Sequence, residues 1–218
     1  DAPQARGLAP DGLRAPVTTG GPVAGTTVRA AIRTRHFAGL YAGGLIASFG
    51  VFVPFVHLVP YATDHGIAAT RATLLLGAIG VGSTAGRFVL GGLADRFGRL
   101  PSLLAMFVGM ALSLAAWPWL GGFWSLGVFA LAFGVFYGGW VALMPALVMD
   151  WFGGRSVAGI IGVLYTGPAF GTLLGPSGAG YLFDATHSYT LAAMLGAGAN
   201  LVAASIVALA ARSAVARH

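Results

Sequence analysis

Long apolar stretches alternate with short polar connections along the whole chain after its first 36 residues. Each stretch is long enough to cross a bilayer, since a membrane-spanning helix needs about 20 mostly apolar residues. A residue-by-residue alternation of apolar and polar positions, which is typical of membrane β-barrels, is absent from the sequence. The pattern therefore predicts an all-α membrane protein with six transmembrane helices, at about residues 37–61, 72–93, 101–120, 123–149, 157–182 and 190–211.

The segments outside these spans predict a linker before the transmembrane domain and a tail after it. Residues 1–36 are rich in Pro and Gly and have no apolar run, which is typical of a flexible linker. Residues 212–218 form a short tail. Arginines favour the cytoplasmic side of a membrane. All arginines that flank the spans except Arg71 fall on the side of both chain ends, so we expect linker and tail to be cytoplasmic.

Composition supports a membrane protein and excludes other classes. The chain is 57% hydrophobic and 8% charged, with a mean hydropathy of +0.82. A net charge of +6 might indicate nucleic acid, but the arginines lie at span ends rather than on one soluble face, so no nucleic-acid partner is expected. There is no cysteine, and the Asp and His residues lack metal-ligand spacing. No metal or cofactor is predicted.

Glycine spacing predicts where helices pack closely. Small residues four apart let transmembrane helices approach each other. Two spans show this spacing, the fourth and the fifth: Gly134 and Gly138, and Gly167, Gly171 and Gly175.

A permanent cation, Arg87, lies inside the second predicted span. At helical spacing it shares one stripe with small or polar residues, which we expect to face the bundle interior or a water-filled cavity: Thr73, Gly77, Gly80, Thr84 and Gly91. No acid lies within any span, and guanidinium prefers planar partners with two oxygens, so an organic carboxylate is the expected partner. The alternative is that Arg87 snorkels to the interface or contacts a carbonyl.

His57 and Tyr61, one helical turn apart near the end of the first span, are weaker candidates for a cavity. The alternatives are a hydrogen-bonded helix histidine and an interfacial tyrosine. An enzyme is not expected. Gly175-Pro176-Ser177-Gly178 matches the nucleophile motif of rhomboid intramembrane proteases, but the last span has no histidine to act as base.

The turn after the second span, "GGLADRFGR", resembles the loop signature of the major facilitator superfamily, which joins the second and third helices of each six-helix half. The resemblance implies a conformational latch in which the arginines pair with another helix end. A merely positive-inside loop is the alternative, and Leu100-Pro101 stands where further basic residues are usual. The latch residues are Gly91, Leu93, Asp95, Arg96, Gly98 and Arg99.

Three stretches are similar to bacterial members of the monocarboxylate porter and oxalate/formate exchanger group: "FVPFVHLVPYATDHGI", "GRFVLGGLADRFGR" and "LGPSGAGYLFDATHSY". This resemblance implies that Arg87 binds the substrate carboxylate. Two departures are notable. Ser83 replaces the aspartate that pairs with the arginine in monocarboxylate transporters, and the fifth span has no lysine, which the oxalate exchanger has.

Family members have two six-helix halves, so the resemblance implies that this chain is a C-terminal half whose partner is the N-terminal half of the same protein. Substrate sites then lie between the halves. We expect a secondary active transporter in a bacterial inner membrane, working by alternating access on a small organic anion such as a monocarboxylate. The alternatives are a carrier for a drug or sugar and a non-transporting membrane scaffold.

Overall fold

The computed structural model describes residues 24–212. Six helices in this range are long and apolar enough to cross a membrane, which confirms the predicted all-α membrane fold. The first span consists of two helices and the third continues into a 3₁₀ turn at Trp117–Trp119. The helices are α1 Val28–Ala31, α2 Arg35–Val51, α3 Val53–Asp64, α4 Ala69–Phe97, α5 Arg99–Ala116, α6 Phe123–Phe152, α7 Val157–Thr186 and α8 Thr190–Arg212.

The first span is interrupted at Phe52, between α2 and α3. Pro54 is at the first turn of α3 and Pro60 is inside it. Proline has no N–H to donate, so it interrupts the helical hydrogen-bond ladder. The two helices together, residues 35–64, still make one membrane crossing.

The second span is longer than predicted, because residues 91–97 of the signature are helical rather than part of a turn. The chain reverses at Gly98, whose φ of 92° lies in the left-handed region that favours glycine. Its N–H donates to the Ala94 carbonyl at 2.9 Å and ends α4. Buried Ala94 packs this last turn against the bundle.

The predicted linker is ordered where the structure describes it. Residues 1–23 of the predicted linker and 213–218 of the predicted tail lie outside the described range. Residues 24–34 make defined contacts with the bundle. Gly25 pairs with Gly153 in an isolated antiparallel bridge, and the Thr26 N–H donates to the Phe152 carbonyl at 2.7 Å. The start of the first span is thereby attached to the connection between α6 and α7.

Helix packing depends on glycines, as their spacing predicted. In the bundle α4 packs on α6, α2 runs along α7 and α8, and α5 bridges α6 and α8. A Cβ added at Gly138 would collide with the Ser83 carbonyl of α4. At Gly171 it would lie 2.7 Å from the Leu45 carbonyl of α2. The prediction that these residues allow close helix approach is confirmed.

The two ends of the bundle differ in charge. One end carries Arg33, Arg96, Arg99, Arg155 and Arg212 and is called the arginine-rich end below. The opposite end carries Arg71, Asp64 and Asp184.

Candidate functional site

Arg87 is exposed on the face of α4 that turns away from the other described helices. Its polar stripe is exposed with it, and a Cβ added at Gly77 or Gly80 would meet nothing within 4 Å. The stripe therefore does not face the interior of the six described helices, and the alternative that it faces a water-filled cavity stays a prediction. The buried face of α4 instead consists of Ala72, Leu75, Ile79, Gly82, Ser83, Gly86 and Ala94.

The physical reason is that α4 has small residues on two faces. Gly82 and Gly86 contact the backbone of α6 at Leu131 and Val135, so this face allows the closer packing. Ser83 is buried at the same contact. Both faces consist of similar small residues in the sequence, and only the contact with α6 distinguishes them.

Large apolar side chains lie beside the polar stripe on the exposed surface of α4. Leu74, Val81 and Phe88 recur every seven residues, and Phe88 is 80% exposed. The free surface of this helix therefore has an apolar edge and a polar edge that holds the cation.

Two tyrosines lie close enough to Arg87 for its charge to act on both phenols. They are Tyr137 on α6 and Tyr165 on α7. Tyr137 is held edge-on against Phe55, with 5.1 Å between ring centroids. Sequence reasoning missed both tyrosines. The available signal was a tyrosine within an apolar span, which by itself does not say which way the side chain points.

Arg87 makes no hydrogen bond or ion pair with any residue in the range 24–212. Asp95, the nearest acid in sequence, and Asp150 are both engaged by Arg99. An exposed guanidinium whose charge acts on two phenols could offer N–H donors to a ligand, with O–H donors in the same region. Such a set matches a carboxylate, which accepts at two oxygens.

His57 has a structural contact in this fold. Its ring Nε2–H donates to the Pro176 carbonyl at 2.9 Å and ties α3 to α7. We count distances along the helices at about 1.5 Å per residue, starting from the end of the bundle that carries Asp64 and Asp184. His57 lies about 10 Å from that end, and Arg87 lies about 27 Å from it. The structure does not bring His57 to Arg87.

Tyr61 is a buried anchor with only 4% of its surface exposed. Its hydroxyl donates to the Pro118 carbonyl at 3.2 Å, and its ring packs against Trp117. These contacts tie α3 to the end of α5.

Arg99, the first residue of α5, links the ends of α4 and α6. Its Nη1–H donates to Asp150 Oδ1 at 2.6 Å and to the Ala146 carbonyl at 3.2 Å. Its Nη2–H donates to Asp95 Oδ1 at 3.5 Å. The side chains are 33% exposed for Arg99, 69% for Asp95 and 45% for Asp150, so the network is open to solvent. Asp150 lies outside the sequence signature and was not predicted.

The other signature residues have less defined surroundings. Arg96 makes no hydrogen bond or ion pair with a described residue. Leu93 is exposed, and a Cβ at Gly91 would meet nothing within 4 Å. Gly98 provides the reversal that returns Arg99 towards Asp95. The role of the six residues as a latch stays a prediction.

Comparison with known proteins identifies the family. Residues 40–217 match the Major Facilitator Superfamily. Monocarboxylate transporter 12-B of Danio rerio is 34% identical over 167 residues, which are 75% of this chain and 35% of that protein. Monocarboxylate transporter 11 of Homo sapiens is 33% identical over 173 residues, 74% of this chain and 36% of that protein.

A fungal relative, the MFS-type transporter pynF of Aspergillus niger, is 32% identical over 148 residues, 66% of this chain and 34% of that protein. The chain thus matches about a third of the length of these relatives. The names of the family and of the relatives point to transport rather than catalysis. With six apolar helices and this match over most of its length, the chain is a multi-pass membrane protein that belongs to the Major Facilitator Superfamily.

Proposed function

We propose that this chain is the C-terminal six-helix half of a secondary active transporter that carries a small organic anion, such as a monocarboxylate, by alternating access. The observation that carries the proposal is Arg87, an exposed and unpaired guanidinium well inside a membrane-spanning helix. Arginine at the bilayer centre costs about 2.5–3.5 kcal/mol on insertion scales. A face that holds such a cation is unsuited to lipid.

A second half of the transporter would remove this cost. The N-terminal six helices would cover the apolar edge of α4 at Leu74, Val81 and Phe88 and enclose water around Arg87. Major facilitator substrates bind near the midplane between two such halves. Tyr137 and Tyr165 would then donate to the same anion as the guanidinium.

The number of cations favours a monoanion. Among residues 24–212, every other arginine lies within about one turn of a span end or in a connection, so Arg87 alone provides positive charge at depth. One guanidinium neutralises one carboxylate. The relatives named as monocarboxylate transporters support the same substrate class.

The Arg99 network suits a state that forms and breaks during alternating access. Exposed ion pairs contribute about 0–1 kcal/mol, which is enough to bias a conformational equilibrium without locking it. We propose that the arginine-rich end lies in the cytoplasm, because arginines are retained on the cytoplasmic side. A bacterial inner membrane stays the proposed location.

The test is uptake of radiolabelled lactate into liposomes that contain the full-length protein carrying this chain. Arg87→Gln removes the guanidinium fork, and we expect uptake to fall at least tenfold. Arg71→Gln is the matched control, because Arg71 is at the start of α4, where its guanidinium lies over the Phe123 ring. Equal uptake by Arg87→Gln and wild type would contradict the anion site.

Other outcomes separate the alternatives. Uptake of a neutral sugar or a cationic drug that does not depend on Arg87 would favour a different major facilitator carrier. Transport of no solute by wild-type protein that is folded and inserted would favour a membrane scaffold.

A further inference from the structure

A pocket lies at the end of the bundle that is opposite the arginine-rich end, away from Arg87. It has a volume of about 440 Å³, within the range of small-molecule sites. It opens between the C-terminal ends of α3 and α7 and the start of α8. Asp64, His65 and His187 line it together with Tyr189 and Phe183.

The electrostatics of this pocket favour a positive ligand. Two helices, α3 and α7, end at it, and helix C-termini carry partial negative charge. Asp64 adds a full negative charge, and among residues 24–212 no arginine lines the pocket. The N-terminus of α8 also reaches it, but the Ser188 hydroxyl caps that helix by accepting from the Thr190 N–H at 3.2 Å.

Tyr189 supplies this pocket with a polar group that a ligand can contact. This side chain is only 7% exposed and lines the pocket, yet its hydroxyl makes no hydrogen bond with any described residue. The phenol lies close enough to Asp64 and Asp184 for both charges to act on it. The ring is packed away while the hydroxyl has no partner among the described residues, so it is available to a ligand atom in the pocket.

The walls indicate an organic cation rather than a metal ion. Half-buried Phe183 stacks on Tyr189 with 4.3 Å between ring centroids, and the part of its ring that stays exposed lines the pocket together with the carboxylate. Aromatic faces attract substituted ammonium groups. Within residues 24–212 no three His, Asp or Glu side chains meet in a way that could hold a metal ion. The His65 Nδ1–H donates to the Tyr61 carbonyl at 2.8 Å, which holds this ring at the end of α3.

We propose that this pocket binds a small organic ammonium ion, with Asp64 as counter-ion and the Tyr189 hydroxyl as acceptor. This site is separate from the anion site at Arg87, and its occupation does not require transport.

The experiment uses the full-length protein in nanodiscs of phosphatidylglycerol, which has no ammonium headgroup, with benzylammonium as the probe. Binding is measured by saturation-transfer NMR against benzyl alcohol, which has the same ring without the charge. We expect benzylammonium to bind at least tenfold more tightly. Asp64→Asn should weaken it at least fivefold and Tyr189→Phe, which keeps the ring stack, about threefold. Arg71→Gln should leave it unchanged within twofold.

Each remaining outcome decides the proposal. Equal binding of the alcohol, or unchanged binding in Asp64→Asn whose thermal unfolding matches wild type, would overturn it. No binding to wild type would overturn it as well. At a constant fraction of phosphatidylglycerol, weaker probe binding when phosphatidylethanolamine replaces a lipid without an ammonium group would support the ammonium site and identify a lipid headgroup as a competing source.

Discussion

Arg99 and Asp150 form an ion pair of 2.6 Å between the first residue of α5 and the last turn of α6, although 51 residues separate them in the chain. The same guanidinium reaches Asp95 at the end of α4. Three helix ends therefore meet at one arginine, at the end of the bundle where Gly98 reverses the chain.

We expect Asp150→Asn to reduce transport several-fold while changing the free energy of unfolding by less than about 1 kcal/mol, because the pair is exposed. Uptake and thermal unfolding are measured on the same preparation. The control is the exchanged pair Arg99→Asp with Asp150→Arg, which retains one attraction between α5 and α6. If Asp150→Asn were as active as wild type, the pair would not act as a latch.

Gly138→Ala is expected to destabilise the protein by about 1–3 kcal/mol, because the added methyl collides with the Ser83 backbone. Gly127→Ala on the same helix is the matched control, since its Cβ would meet nothing within 4 Å. That control should be neutral or slightly stabilising, as alanine is the better helix former. Thermal unfolding of both variants in detergent measures the difference, and equal melting temperatures would show that α4 and α6 pack less closely than described.

Tyr137→Phe should raise the KM for a monocarboxylate about tenfold. A hydrogen bond to a charged group contributes about 1.5–3 kcal/mol, and phenylalanine keeps the packing on Phe55 while removing the donor. Concentration-dependent uptake measures KM. Tyr181→Phe, at an exposed tyrosine of α7, should leave it unchanged. An unaltered KM in Tyr137→Phe would exclude this phenol from the anion site.

Burial, and after it the charges of Asp64 and Asp184, raises the pKa of the Tyr189 hydroxyl above its usual value of 10.0. The folded state therefore favours the neutral phenol. Its contribution to stability is complete below pH 10 and is lost as pH rises through the higher folded pKa. Thermal unfolding between pH 8 and 11 should show a steeper alkaline loss for wild type than for Tyr189→Phe. Parallel curves would contradict the assignment of this loss to Tyr189.

The tertiary arrangement decided where the candidate residues lie. Two faces of α4 are lined with small residues, and contact with α6 selected the face of Gly82 and Gly86 and left Arg87 exposed. His57 and Tyr61 donate hydrogen bonds to carbonyls on α7 and at the end of α5. Tyr137 of α6 and Tyr165 of α7 lie where the charge of Arg87 acts on their phenols. Such contacts join residues far apart in the chain, so no local pattern encodes them.

The sequence by itself determined the number of spans, the fold class and the family. Apolar length and the spacing of glycines act locally in a bilayer, because each helix satisfies its own backbone bonds before it packs. The signature "GGLADRFGR" identified the position of the charged reversal, while only the folded bundle supplied Asp150 as the partner of Arg99. Side-chain direction depends on which helices become neighbours, and that choice is made by packing across the whole bundle.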